Sequence, residues 1–179
     1  MTERQRVDET KQIQQEIVLA IAQARDFQAA MQVTLQRVCQ LTSWEYGEAW
    51  IPNQEDKFLE LSPIWYSTPN IEALEKFRLC SEAFVLSANI GLPGRVWSSK
   101  QAEWIVDVGA ASETYFLRNQ IAKACGVKAG YGIPLIIGDR ARVVLVFFMR
   151  QAQAEDEQLI NLMAIVRAEL ERVLPSLGI

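Results

Sequence analysis

The chain contains no histidine. This removes the commonest general base and the commonest transition-metal ligand, and with them His-dependent triads, the usual haem ligand and an internal phospho-accepting histidine. Cysteine is nearly as scarce. Cys39, Cys80 and Cys125 are odd in number and far apart in sequence. That pattern argues against a disulfide framework or a cysteine-only zinc site and for reduced, mostly buried thiols. Long apolar runs are missing too, since no stretch approaches the ~18 residues needed to span a bilayer. The opening Met1-Thr2-Glu3-Arg4-Gln5-Arg6 leads into a polar helix instead of a signal peptide, so a cytoplasmic chain is expected. Neither sign of charge gathers into blocks. The net charge of -4 is spread along the chain, leaving no basic stripe for nucleic acid and no polybasic patch for a membrane surface.

Apolar residues, by contrast, make up half of the 179 positions, enough for one well-buried core, and a single domain is expected. Residues 3 to 24 carry Val7, Ile13, Ile17, Ala20, Ile21 and Ala24 at helical spacing among Gln, Glu and Lys, a narrow stripe that needs a partner. Asp26 is placed to cap a second helix reaching about Thr42, whose Phe27, Ala30, Met31, Thr34, Leu35, Val38 and Cys39 form a broader apolar face. Residues 46–52 and 57–66 read as a hairpin around Asn53-Gln54-Glu55-Asp56. A helix over 70–82, a short strand over 84–86, a helical turn over 95–99 and a strand over 102–108 follow, then a helix over 113–125 stopped by Gly126. Strands over 128–137 and 142–150 flank the turn Gly138-Asp139-Arg140, and a long helix from Asp156 to about Leu174 closes the chain. Hairpin connections with helices at both ends and inside one long crossover make an α+β pattern with a mainly antiparallel sheet.

The order of three motifs is the most informative feature: Gly91-Leu92-Pro93-Gly94-Arg95-Val96-Trp97, then Glu103-Trp104-Ile105-Val106-Asp107-Val108, then Gly126-Val127-Lys128-Ala129-Gly130-Tyr131-Gly132-Ile133-Pro134-Leu135. In this order and spacing the chain resembles the GAF domain family over residues 26–172. The resemblance implies a sheet with the N- and C-terminal helices on one face, and a ligand cavity under the crossover segment on the other. It makes residues 1–25 an N-terminal signalling or dimerisation helix and 173–179 the end of an exit helix. Candidate ligand-binding residues are Trp65, Phe84, Trp97, Trp104, Tyr115 and Tyr131 as walls, with Arg95 and Arg118 to orient an anionic ligand. Core packing for the aromatics and solvated positions for the arginines are the plain alternatives.

Each specialised branch of the family asks for residues that can be sought here. Bilin-binding members carry a Cys-His pair about ten residues before the Gly-rich strand, where this chain has Leu117 and Arg118, so covalent bilin is not expected. A non-covalent or Cys125-linked bilin is the residual photoreceptor reading. Methionine sulfoxide reductases of this family need a cysteine where Pro93 stands, and the cyclic-nucleotide signature is missing at suitable spacing. No catalytic residue and no metal site are therefore assigned, and the cofactor is unknown. Leu159, Leu162, Val166, Leu170, Val173 and Leu177 repeat close to a heptad seam. With the stripe of the first helix, this suggests a helical homodimer, and the resemblance implies that it relays occupancy by a small molecule to an output domain of the same parent protein, such as a sensor histidine kinase. A ligand-free dimerisation module is the alternative.

Overall fold

A computed structural model describes residues 2–179. Helix α1 (Glu3–Ala22) opens with a capping box in which the Thr2 hydroxyl accepts from the Gln5 amide and the Gln5 side chain accepts from the Thr2 amide. Helix α2 (Phe27–Leu41) is capped as its sequence indicates, the Asp26 carboxylate accepting the Ala29 N–H at 2.7 Å. Strands β1 (Tyr46–Pro52) and β2 (Phe58–Ser67) form the hairpin. Helix α3 (Glu72–Ser81), strand β3 (Val85–Ser87), helix α4 (Gly91–Ser99), strand β4 (Glu103–Ile105) and helix α5 (Asn119–Cys125) make the crossover. Strands β5 (Gly130–Ile137) and β6 (Arg140–Phe148) lead to helix α6 (Glu157–Val173) and a closing 3-10 turn, Leu174–Leu177.

The strands form one six-stranded sheet in the order β3-β2-β1-β6-β5-β4, with every neighbouring pair antiparallel. The α+β architecture follows from two apolar faces on that sheet. One face packs under α1, α2 and α6 around Ile17, Ile21, Met31, Leu35, Trp44, Leu145, Phe147, Leu162, Val166 and Leu170. The other packs under α3, α4 and α5 around Tyr46, Trp50, Phe77, Leu92, Val96, Phe116, Val146 and Phe148. Strict alternation on β6 sends Phe147 to the first face and Phe148 to the second.

Three local expectations change. The helix expected over 113–125 begins only at Asn119, because the preceding segment turns twice: the Ser112 carbonyl accepts from the Phe116 N–H at 2.8 Å, and the Phe116 carbonyl accepts from the Asn119 N–H at 3.0 Å. Those turns carry Phe116 and Arg118 into the interior, where a continuous helix would have carried them past it. The strand expected over 102–108 ends at Ile105, with the Asp107 carboxylate accepting from the Gly109 and Ala110 amides in a turn. The helical turn expected over 95–99 starts earlier, at Gly91, whose φ of +66° turns the chain, and Pro93 suits the first helical turn. Gly126 ends α5 in the left-handed conformation at φ +69°, as its position after Cys125 implies.

The narrow stripe of α1 finds its partner within the chain. Ile17 and Ile21 are fully buried against α2 and α6, and Ile13 packs beside them. The seam of α6 is occupied in the same way: Leu162, Val166 and Leu170 are buried in this core, with Leu159 and Val173 packed against it. Both stripes are thus covered within one protomer, and their burial needs no second one. Among the described residues, no helix is long and apolar enough to cross a membrane.

Candidate functional site

Strand β1 runs through the middle of the sheet, and its alternate residues Tyr46, Glu48 and Trp50 all face the crossover, with none exposed. A carboxylate in that position needs partners, because an ionised group out of water is strongly disfavoured. Glu48 has a full set. Its oxygens accept from the Tyr46 hydroxyl at 2.9 Å, the Trp50 indole N–H at 2.8 Å, and Arg118 Nη2 and Nη1 at 2.6 and 3.1 Å. Arg118 arrives from 70 residues away, at the N-terminal boundary of α5, and its Nη1 also donates to the Ser81 hydroxyl of α3 at 3.0 Å.

The guanidinium is boxed by rings. Its central carbon lies 5.2 Å from the Trp50 ring centroid, 5.1 Å from Phe77, and 5.4 Å from both Phe116 and Phe148. Phe77 and Phe116 meet Phe148 edge-on at 5.3 and 6.0 Å, fixing the walls. A carboxylate floor with aromatic sides is the chemistry of a cation receptor, and the cation in it belongs to the chain. Arg118 is only 2% exposed and Glu48 not at all, so the chamber is filled by protein atoms.

Burial, the Glu48 carboxylate and the bond to it push the Tyr46 hydroxyl well above the usual phenol range, with Arg118 and Arg78 opposing. Tyr46 therefore remains a donor at high pH in the folded state, while in the unfolded chain it ionises near pH 10. The sign follows from linkage: this contribution is intact below pH 10 and is lost as pH rises above it. Above about pH 11, where the unfolded phenol is almost fully ionised, urea titrations should show a loss approaching about 1.4 kcal/mol per pH unit from this group, and Tyr46→Phe should flatten the slope by that amount.

The residues expected to line a pocket are distributed over three places. Arg118 occupies the centre of the chamber, and Trp65 and Phe84 are half-buried against the same inner core. Trp97 also packs on that core and borders a surface cleft with Asp56, Lys100 and Asp139. Arg95 and Tyr115 sit at the outer edge of the crossover. There the Arg95 guanidinium forks onto Glu103 through Nε at 3.1 Å and Nη2 at 2.9 Å, stands 4.0 Å over the Tyr115 ring and donates to the Tyr115 carbonyl, while the Tyr115 hydroxyl donates to Glu103 at 2.8 Å. Trp104 and Tyr131 lie across the sheet from the chamber. Paired in register on β4 and β5, they cluster with Trp44 under the terminal helices, Tyr131 stacked on it and Trp104 tilted against it, and the Trp104 indole donates to the Gln153 carbonyl at 2.8 Å. Tyr131 borders an open groove of about 350 Å³ beside Met163, Arg167 and Glu171 of α6.

Glu48, Tyr46, Trp50 and Ser81 were not singled out in the sequence. The available signal was Glu48 itself: a lone carboxylate in the apolar run Tyr46-Gly47-Glu48-Ala49-Trp50-Ile51, in phase with two aromatics that must face inward. A second buried cation, Arg78 on α3, was also unanticipated. It donates Nη2 to the Ser62 carbonyl at 2.5 Å, at an irregularity in the β1–β2 register, with Glu82 at 3.5 Å from its Nε.

No protein-family model and no curated protein sequence matches the chain. Solved structures do. The free methionine-R-sulfoxide reductase of Neisseria meningitidis in complex with its substrate superimposes with a TM-score of 0.73 at 15% identity, over 94% of this chain and 89% of the other. The GAF domain of an Acinetobacter phosphoenolpyruvate-protein phosphotransferase gives 0.70 at 14% identity, over 98% and 96%. That of the Coxiella burnetii phosphoenolpyruvate-protein phosphotransferase gives 0.71 at 15%, over 96% and 98%. The fold is that of a GAF domain. Within the GAF fold, the terminal helices lie on the outer face of the sheet, and the Arg118–Glu48 chamber lies on the inner face under the crossover.

Proposed function

We propose that this GAF domain is a non-catalytic regulatory module of a signal-transduction protein, with a sensor histidine kinase as the parent we favour. The state of its inner chamber is relayed through α1 and α6. The observation that carries this reading is the Arg118–Glu48 pair, which fastens the crossover to the central strand whose opposite face supports α2. A ligand that favours one arrangement of that pair over the other has, by that difference, a means of shifting the packing beneath the terminal helices. The same helices are our proposed homodimer contact. Their heptad seam is used inside the chain, so the contact falls to the apolar residues left outside, Val7 and Leu19 of α1 and Ile165 of α6.

Some structures of this fold are reductases, which makes sulfoxide reduction the competing enzymatic reading. Three observations weigh against it here. Pro93 stands inside α4, and Cys39 is buried in the outer core, where burial and the nearby Glu45 carboxylate push its thiol far above the usual range. Cys125 is raised as well, by burial first, and is no activated nucleophile. A ligand-free dimerisation module is the second non-catalytic reading, favoured by the filled chamber.

Native mass spectrometry of freshly purified protein, with a denatured control, tests these readings together. A dimer carrying mass that is lost on denaturation is the expected result for the regulatory module. A dimer at the bare polypeptide mass transfers weight to the dimerisation module, a bare monomer removes the relay as described, and mass surviving denaturation restores a cysteine-linked chromophore. In parallel, free methionine-R-sulfoxide with dithiothreitol should be turned over no faster than a blank. Turnover abolished by Cys80→Ser or Cys125→Ser would establish the enzyme instead.

A further inference from the structure

We infer that the inner chamber is a receptor for a small organic cation bearing a guanidinium or ammonium group, and that Arg118 is its built-in occupant. The proposal rests on the regulatory reading and names the ligand class of that same chamber. The chamber already displays its preferred ligand: a guanidinium held by a two-pronged bond to Glu48 at 2.6 and 3.1 Å and faced by four aromatic rings within 5.4 Å. Planar delocalised cations are weakly hydrated and match both a carboxylate fork and a ring face, so this geometry selects for them. An anion brought to the same place would meet Glu48, whose carboxylate the aromatic walls leave no water to screen.

Two features make Arg118 an occupant that can leave. It is carried by the segment between β4 and α5, which has no regular structure from Val106 to Leu117 and is pinned near its outer end by the half-exposed Arg95–Glu103–Tyr115 cluster. Its remaining partner, the Ser81 hydroxyl, is neutral. A cation that takes Glu48 releases Arg118 together with the turns that place Phe116, and the cover of the chamber changes shape. The neighbouring buried cation, Arg78, is held by the Ser62 carbonyl, with Glu82 at 3.5 Å from its Nε. Because the occupant is tethered, its effective concentration is high, and external cations compete at millimolar levels in the native protein.

The test is occupancy of the vacated cage. Arg118→Ala should be destabilised and should recover a saturable rise in Tm with millimolar methylguanidinium chloride, about 5–10 °C at a hundredfold excess over Kd, with sodium chloride as the ionic-strength control. The double variant Glu48→Gln with Arg118→Ala should give no such rise. If Arg118→Ala does not fold alone, refolding it in methylguanidinium should restore the native spectrum. No saturable response in the folded variant, an equal response in the double variant, or no recovery on refolding overturns the receptor. In the unmodified protein, 50 mM agmatine should increase amide hydrogen exchange over residues 106–118. Unchanged exchange with a responsive Arg118→Ala variant overturns the role of Arg118 as displaceable occupant. Dimerisation and lack of sulfoxide turnover are read independently by the experiments above, so failure here is separable from failure of the regulatory module.

Discussion

Glu48→Gln is expected to lower the free energy of unfolding by about 3–5 kcal/mol, because it leaves the Arg118 guanidinium buried without its counter-charge. The environment offers no other acceptor of that strength. Arg118 is enclosed by Trp50, Phe77, Phe116 and Phe148, and its one further bond is to the Ser81 hydroxyl. The same change turns one oxygen of the group that receives the Tyr46 hydroxyl and the Trp50 indole into a donor, so at least one of those bonds meets a donor instead of an acceptor. Arg118→Met alone should cost a similar amount by stranding Glu48. Combining Glu48→Gln with Arg118→Met removes both charges and keeps most of the volume, and it should recover most of the loss, since desolvating the pair nearly cancels its attraction. Chemical denaturation of the single and double variants yields the coupling energy directly. If either single change lowers stability by less than about 1 kcal/mol, as an exposed pair would, the chamber is not closed in solution.

Gly94→Ala should lose about 1–3 kcal/mol, because the added methyl has no room there. The reason is contact with main chain. A Cβ at Gly94 would fall under 3.0 Å from the Ser87 carbonyl oxygen, which cannot rotate aside as a flexible side chain does. Helix α4 lies against β3 there, and the Gly94 carbonyl accepts from the Asn89 amide at 3.0 Å and the Ser98 hydroxyl at 2.9 Å, so any shift of the helix also stretches that knot. Gly126 and Gly138 provide the comparison. Each has φ near +70° with nothing within 4 Å of an added Cβ, and alanine there should cost only the left-handed backbone penalty of about 1–2 kcal/mol. In thermal unfolding, about 2–4 °C per kcal/mol is expected for a domain of this size. A Gly94→Ala variant as stable as the parent would mean that α4 and β3 are not in contact as described.

Much of the fold could be read along the chain because its signals are local. Asp26 before an apolar helix, Gly126 after Cys125 and Gly138 between two apolar strands each act through neighbouring backbone atoms, and each does what its position implies. The site was harder. The order of the Gly-rich motifs singled out Arg118, which the fold places in the inner chamber, and grouped it with Trp104 and Tyr131, which lie across the sheet. Strand β4 has only three residues, too few to show which face Trp104 takes, and its pairing with β5 decides it: Trp104 opposite Tyr131 goes to the terminal helices and Ile105 to the chamber.

The amino-acid sequence by itself determined most of the elements, the caps at Asp26 and Gly126, the absence of histidine chemistry and the GAF-like order of motifs, since these depend on residue type and on spacing within a few positions. Only the tertiary structure decided what the chain does with its apolar stripes and its buried charges. The α1 stripe could have met a second protomer or α6, and both choices bury the same residues. Glu48 is one carboxylate among many along the chain until Arg118, 70 residues later, is brought against it. Such choices are set by burial and by the need to pair charge away from water, and both belong to the assembled interior instead of to any segment of the chain.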